Sequence, residues 1–115
     1  MTPKPGEYGD IDSRAKFRAR VSDVLALSEQ CEKKMPSDPA IGSITAQLRA
    51  MKRNTMNGRD PTADERKGIT AGLIAIRELD GTPDDDVAKL ADAIHDVVSF
   101  YEDWPTDAAA AALRP

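Results

Sequence analysis

A run of apolar residues close to the C-terminus constrains the fold more than any other feature of this chain. Its members follow one another at steps of three or four positions: Val87, Leu90, Ile94, Val97, Tyr101 and Trp104. Side chains at these steps share one face of an α-helix, because the helix completes a turn about every 3.6 residues. The run therefore predicts a long amphipathic helix whose apolar face must be covered by other helices.

Signals for three more helices precede this one, and each predicted start has a short polar side chain that can accept a hydrogen bond from the first turn. The predicted starts are Asp12 or Ser13, Asp38 followed by Pro39, Thr62 with Glu65 as a capping box, and Thr82-Pro83 for the last helix. The predicted ends are Pro36, Asn57-Gly58, Gly81 and Pro105. Connections this short favour neighbouring helices that run in opposite directions.

Apolar residues at helical spacing also predict an inward face for each of these three helices. They are Phe17, Val21, Val24, Ser28, Cys31 and Met35 in the first, Ile41, Ile44, Leu48 and Met51 in the second, and Ile69, Leu73 and Ile76 in the third. No strand-length run alternates with period two, so the predicted fold is all-α, a four-helix antiparallel bundle. We expect residues 1–11 to form a flexible leader, residues 12–105 a single helical domain, and residues 106–115 an Ala-rich tail that is helical only in part.

Small residues recur one turn apart on the third predicted helix, at Gly68 and Gly72 with Ala71 and Ala75 beside them. A glycine inside a helix costs about 1 kcal/mol relative to alanine, so a close approach must compensate for it. Either another helix of the same chain approaches here, or a partner does. A second copy of the chain is one such partner, so a homo-oligomer is possible.

The charge of the chain is distributed unevenly. Residues 1–53 carry ten Lys and Arg against seven Asp and Glu, whereas residues 54–115 carry six against thirteen. This acidic second half argues against nucleic acid or an anionic membrane as partner. The single cysteine, Cys31, allows no internal disulfide, and the N-terminus lacks the apolar run of a signal peptide. We therefore expect a cytoplasmic protein.

The acidic residues do not form a recognisable catalytic or metal-binding motif. A calcium loop that started at Asp80 would need Glu at its twelfth position, where this chain has Ala91. The only histidine is His95, too few for a transition-metal cluster. The carboxylates at 84–86 fall in a solvated first turn, which does not split their pKa values for acid-base work. We expect no enzymatic activity, no metal and no cofactor.

Acidic residues exceed what helix capping requires. Between Glu78 and Asp107 there are ten acids and one base, and the helix dipole favours only those in the first turn, such as Asp84 and Asp85. Uncompensated charge costs stability, so we expect a positively charged partner. The candidate partner-binding residues are Glu78, Asp80, Asp84, Asp85, Asp86, Asp92, Asp96, Phe100, Glu102 and Asp103. Phe100 falls off the apolar stripe and is either secondary core or an exposed anchor.

The same region carries a family resemblance. The block AGLIAIRELDGTPDDDVAKLADA, preceded by QLRAMKR, resembles the small helical immunity proteins that bacteria pair with type VI secretion effectors, specifically those that protect against an NAD(P)+ glycohydrolase toxin. The resemblance implies a cognate toxin domain with a basic, dinucleotide-binding cleft, which this chain would occlude with its acidic helical surface. The alternative is an adaptor or chaperone-like module that delivers a secreted partner without inhibiting it.

Overall fold

A computed structural model describes residues 8–79 and 81–113 of the chain. Its helices are α1 (Arg14–Lys34), α2 (Pro39–Asn54), a 3₁₀ turn (Met56–Gly58), α3 (Ala63–Lys67), α4 (Ala71–Ile74), a π-helix (Ala75–Leu79), α5 (Asp85–Asp103) and α6 (Asp107–Ala112). No strand occurs among these described residues, so the all-α prediction is confirmed.

The three long helices form the body of the molecule, with α1 packed against both α2 and α5. Ser13 accepts a hydrogen bond at the start of α1 and Asp38 does so at the start of α2, as predicted. The start predicted at Thr82-Pro83 is wrong, because Asp84 caps the last long helix, which begins at Asp85. A buried contact of 2.6 Å joins the hydroxyls of Ser28 and Thr45 where α1 crosses α2. All six residues of the stripe that runs from Val87 to Trp104 are buried, as predicted.

The third predicted helix is where the structure differs from a bundle of four continuous helices. The capping box at Thr62 and Glu65 forms, but α3 ends after five residues with Gly68 as its C-cap. The helix resumes only at Ala71 and widens into the π-helix at Ala75. A short, interrupted segment therefore takes the position beside α2 and α5 that was predicted for one continuous helix.

This interruption also changes which side chains of the segment face inward. The inward residues are the small or aliphatic Ala71, Ala75 and Leu79, each four positions from the next. The predicted stripe is wrong at two of its three positions, because Leu73 is 50% exposed and Ile76 is 67% exposed, whereas Ile69 is partly buried against the core. A break and a π-turn shift the rotational phase of the residues that follow, so a stripe read at constant pitch fails across them.

Only one of the two glycines on this segment marks a close approach. A Cβ placed on Gly72 would lie 3.4 Å from a methyl carbon of Val98 in α5, so the internal-helix interpretation holds at this position. A Cβ on Gly68 would meet only the backbone of its own helix, at 3.6 Å and beyond. Gly68 therefore ends α3, and Gly72 faces α5 at van der Waals distance.

All the aromatic side chains of the chain meet in one cluster between α1, the start of the described chain and the end of α5: Tyr8, Phe17, Phe100, Tyr101 and Trp104. Tyr8 and Ile11 are buried in the core. Residues 8–11 therefore pack on the body of the molecule and are not part of a flexible leader. The rest of the predicted leader, residues 1–7, lies outside the described residues.

The predicted tail contains a short helix. Thr106 caps α6, Ala110 is buried, and the carboxylate of Asp107 accepts a hydrogen bond from the backbone N–H of Arg14 at 2.9 Å. Part of the tail is thus helical and contacts the start of α1. The last two residues of the predicted tail, 114 and 115, are outside the described part of the chain.

Candidate protein-binding surface

The first turn of α5 is neutralised in part by α1. Asp84 caps the helix by accepting a hydrogen bond from the N–H of Val87 at 3.0 Å, and this bond, together with Lys34, lowers the pKa of Asp84 below its ordinary range. The ammonium of Lys34 lies 3.4 Å from Asp84 and 2.7 Å from Asp86. Asp84 and Asp86 are therefore engaged within the molecule, whereas Asp85 between them is exposed.

Two further acids of α5 lie against the start of the described chain. The hydroxyl of Tyr8 donates a 2.7 Å hydrogen bond to Asp103. Gly9, at φ +58°, lies so close to the carboxylate of Asp96 that any Cβ there would collide with it. Burial raises the pKa of Asp96, and nearby Asp10 and Asp92 add to that effect against the opposing influence of His95 and Arg20.

On its other side, α5 forms a groove with α4 and the π-helix. The groove has a volume of about 440 Å³ and is lined by Gly72, Leu73, Ala75, Ile76, Ala91, Asp92, His95, Val98, Ser99 and Glu102. The close contact between Gly72 and Val98 belongs to this lining. Leu73 and Ile76 are the most exposed apolar members of the lining, and they are three positions apart in sequence.

The α5 wall of this groove is acidic. Asp92 and Glu102 form no ion pair with any of the residues that the structure describes. Burial raises the pKa of Glu102, and the neighbouring Asp103 raises it further. Beyond one end of the groove, Arg66 donates a 3.1 Å hydrogen bond to the backbone oxygen of Glu102. The groove thus combines exposed aliphatic side chains with two carboxylates that form no ion pair within the described residues.

The ten predicted partner-binding residues do not form one continuous surface. Asp92 and Glu102 line the groove, Glu78 and Asp85 are exposed, and Asp96 and Asp103 contact residues at the start of the described chain. Asp84 and Asp86 pair with Lys34, and Asp80 lies outside the described residues. Phe100 is fully buried against Phe17 and Tyr8, so it belongs to the core and is not an exposed anchor.

The residues that sequence reasoning missed are Leu73 and Ile76. Both were expected to point inward, and the structure places both on the groove surface. A competing signal was present in the sequence, since Ala71, Ala75 and Leu79 recur at steps of four. Small side chains let two helices approach closely, which leaves the larger neighbouring side chains outside the contact.

The described residues contain no group of three or more His, Cys, Asp or Glu side chains arranged to hold a metal ion. Within the same described ranges, none of the helices is both long enough and apolar enough to cross a membrane. The free thiol of Cys31 is buried, and burial raises its pKa. The groove is the candidate site because it combines the exposed side chains of Leu73 and Ile76 with the carboxylates of Asp92 and Glu102, and this chemistry suits contact with another protein.

Fold and surface together define a small helical protein with an acidic, grooved face. Residues 16–103 match the Tsi6 family model, so the chain belongs to the Tsi6 family, a family of type VI secretion immunity proteins. Membership implies a non-enzymatic role in which the chain binds a cognate toxin. A comparison with curated proteins found no match, and a comparison with solved structures found none either.

Proposed function

We propose that this chain binds and inhibits one cognate type VI toxin in the cytoplasm, and that the toxin consumes NAD(P)+. The match to the immunity family over residues 16–103 carries the proposal. The sequence block that resembles immunity proteins against NAD(P)+ glycohydrolases supplies the nature of the toxin. That block runs through α4, the π-helix and the first half of α5, which are the elements that form most of the groove.

The mechanism that we propose is occlusion of the toxin's active site. A protein that binds a dinucleotide must present hydrogen-bond donors and positive potential to the phosphates. Carboxylates on a preformed helix can occupy the same positive potential and exclude the substrate without any chemistry. Asp92 and Glu102 are the best placed for this role, because both line the groove and neither forms an ion pair within the described part of the chain.

Charge of this kind acts mainly on the rate of association. Complementary potentials raise that rate to about 10⁸ to 10⁹ M⁻¹s⁻¹ at low salt, whereas slow dissociation depends on apolar side chains buried at the centre of the interface. The aromatic residues of α5 cannot supply those anchors, since Phe100, Tyr101 and Trp104 are all buried in the core. Apolar anchors must therefore come from elsewhere on the surface.

The test is an NAD+ consumption assay with the toxin domain encoded by the neighbouring gene. Added in excess, the wild-type chain is expected to preserve NAD+. The double variant Asp92→Lys with Glu102→Lys is expected to associate at least about 10-fold more slowly at low salt. Asp23→Lys, an exposed charge reversal on α1, serves as the matched control and should behave like wild type.

Two results would count against the proposal. Continued NAD+ depletion at excess wild-type chain would rule out inhibition of that activity. If the toxin gene expressed alone gave insoluble but harmless protein, the chain would instead be an adaptor or chaperone-like module. An immunity protein requires that the neighbouring gene be toxic when this chain is absent.

A further inference from the structure

We infer that the groove between the π-helix and α5 is where the toxin docks, and that its occupant is a basic segment of the toxin that carries a large apolar side chain. This inference rests on the proposed function for the identity of the partner. It adds the place of contact and the chemistry that the partner must present. Neither the acidic residues at the start of α5 nor the aromatic cluster belongs to this site.

The groove exposes large apolar side chains. Three large apolar side chains among the described residues are at least half exposed: Met56 at 51%, Leu73 at 50% and Ile76 at 67%. Two of the three line the same groove. Single exposed aliphatic residues are ordinary on protein surfaces, whereas neighbouring ones in a concave site rimmed by polar groups are typical of an interface.

The charge of the groove is complementary to that of a basic segment. Asp92 and Glu102 stand on the α5 wall of the groove. Lys89 is the only lysine or arginine within α5, and His95 stands between the two carboxylates in the groove lining. An apolar segment without charge would bury Asp92 and Glu102 unpaired, which is costly, whereas lysine or arginine beside the apolar anchor would pair with them.

The walls of the groove are packed helical elements. The π-helix lies in its wall, and π-turns inside helices are frequent at functional sites. Here the altered pitch accompanies Ala75 pointing inward while Ile76 points out of the molecule. Gly72 in this wall faces Val98 of α5, where a Cβ would make an ordinary van der Waals contact at 3.4 Å. The two aliphatic residues are thus presented from packed helical elements.

A second copy of the chain is the main competing occupant. The remaining exposed apolar residue, Met56, follows the basic Lys52 and Arg53 at the end of α2, so the chain has its own basic and apolar patch. If that patch filled the groove of another copy, the contact would be head-to-tail and would build rings or open filaments of this chain. A closed complex with the toxin avoids that outcome, and we therefore assign the groove to the toxin.

The experiment compares three exposed apolar positions of similar accessibility. The full-length chain and its variants are titrated against the toxin domain of the neighbouring gene by calorimetry, with circular dichroism as a check on folding. Leu73→Ser and Ile76→Ser together are expected to weaken binding by about 30-fold or more. Met56→Ser is the matched control outside the groove and should change the affinity by less than about threefold.

Salt dependence separates the apolar and the charged contributions. The Leu73 and Ile76 double variant should keep the wild-type dependence of the association rate on salt, because it removes no charge. Asp92→Asn with Glu102→Gln should flatten that dependence. If the apolar double variant flattened it instead, the docking chemistry that we infer would be wrong.

The outcomes distinguish this inference from the proposed function. If all variants bind alike and still preserve NAD+, the groove is not the docking site and the immunity role stands. If binding depends on Leu73 and Ile76 but the toxin stays active, the groove assignment stands and inhibition fails. Light scattering that shows self-association of wild type, abolished equally by the groove variant and by Met56→Ser, would give the groove to a second copy and overturn the inference.

Discussion

The two sides of α5 differ in how densely they are packed. Towards α1, the helix packs bulky aromatic side chains, with the Phe17 and Phe100 rings stacked at a centroid distance of 5.4 Å. The polar groups at this side are satisfied, since the indole N–H of Trp104 donates to Asp60 at 3.0 Å. Towards the π-helix, small residues bring the backbones together and leave an open groove with exposed aliphatic side chains.

This difference separates stability from recognition within one helix. A densely packed side gains from burial and aromatic contacts, and changes there are felt by the whole fold. The exposed residues of the open side contribute little to folding, so they can be selected for what they bind. The comparison predicts that mutations on the two sides will affect different measurements, as follows.

The largest effect is expected on the packed side. Phe17→Ala removes a ring that contacts Phe100, Tyr101 and Trp104, and should lower the free energy of unfolding by about 3 to 5 kcal/mol in urea titrations. Leu73→Ala on the groove side is the matched aliphatic change and should stay within about 0.5 kcal/mol of wild type. Equal losses from both variants would erase the distinction between the two sides.

A smaller effect should come from the contact between Gly9 and Asp96. Gly9→Ala forces a side chain into a positive-φ position at +58° and against the Asp96 carboxylate. Gly81→Ala, at φ +76° with open space around it, carries only the backbone cost of about 1 to 2 kcal/mol. Chemical denaturation should show a larger loss for Gly9→Ala, and equal losses would mean that Asp96 moves aside freely.

The smallest effect concerns the charge of Asp96. Burial raises the pKa of this carboxyl above its ordinary value of 3.8, so the folded chain binds more protons than the unfolded chain between the two pKa values, and stability falls as pH rises through that window. After allowance for solvent screening, Asp96→Asn should raise the melting temperature at pH 7 by about 1 to 3 °C. The gain should disappear below the ordinary pKa, where both side chains are neutral.

A gain that persisted in strong acid would show that the effect is not electrostatic. Asp23→Asn, on the exposed face of α1, is the control and should leave the melting temperature unchanged at both pH values. If Asp96 also serves the toxin interface, the same Asn variant should slow association. A residue that costs stability and speeds binding would then link the two sides of α5.

The long helices were predictable because the signals that define them, capping residues and apolar stripes, lie within their own sequence. Ser13 and Asp38 cap as expected, and the stripes of α1, α2 and α5 repeat without interruption. Phe100 was ambiguous, since it lies one position from Tyr101 on the stripe. Its burial depends on Tyr8 and Phe17, and that long-range contact leaves no periodic signal in the sequence.

The groove was not predictable for a related reason. Its existence depends on where the third predicted helix breaks and on the pitch of the residues after the break. The sequence pattern predicts Gly68 inside a continuous helix, whereas in the structure Gly68 is the residue that ends α3. Once the break is missed, Leu73 and Ile76 are assigned to the wrong face. The composition alone shows that α5 is acidic. Only the structure shows which acids pair with Lys34 and which line the groove.

The position of Trp104 gives the molecule a built-in optical reporter. It is the only tryptophan of the chain, it is largely buried, and the guanidinium carbon of Arg14 lies 5.0 Å from the centre of its ring. It does not line the groove. Its fluorescence should therefore shift to longer wavelength when the packed side of α5 unfolds, while docking in the groove leaves the emission of this chain unchanged. Folding and partner binding can thus be followed separately in one unlabelled sample, provided that the partner contributes no tryptophan signal of its own.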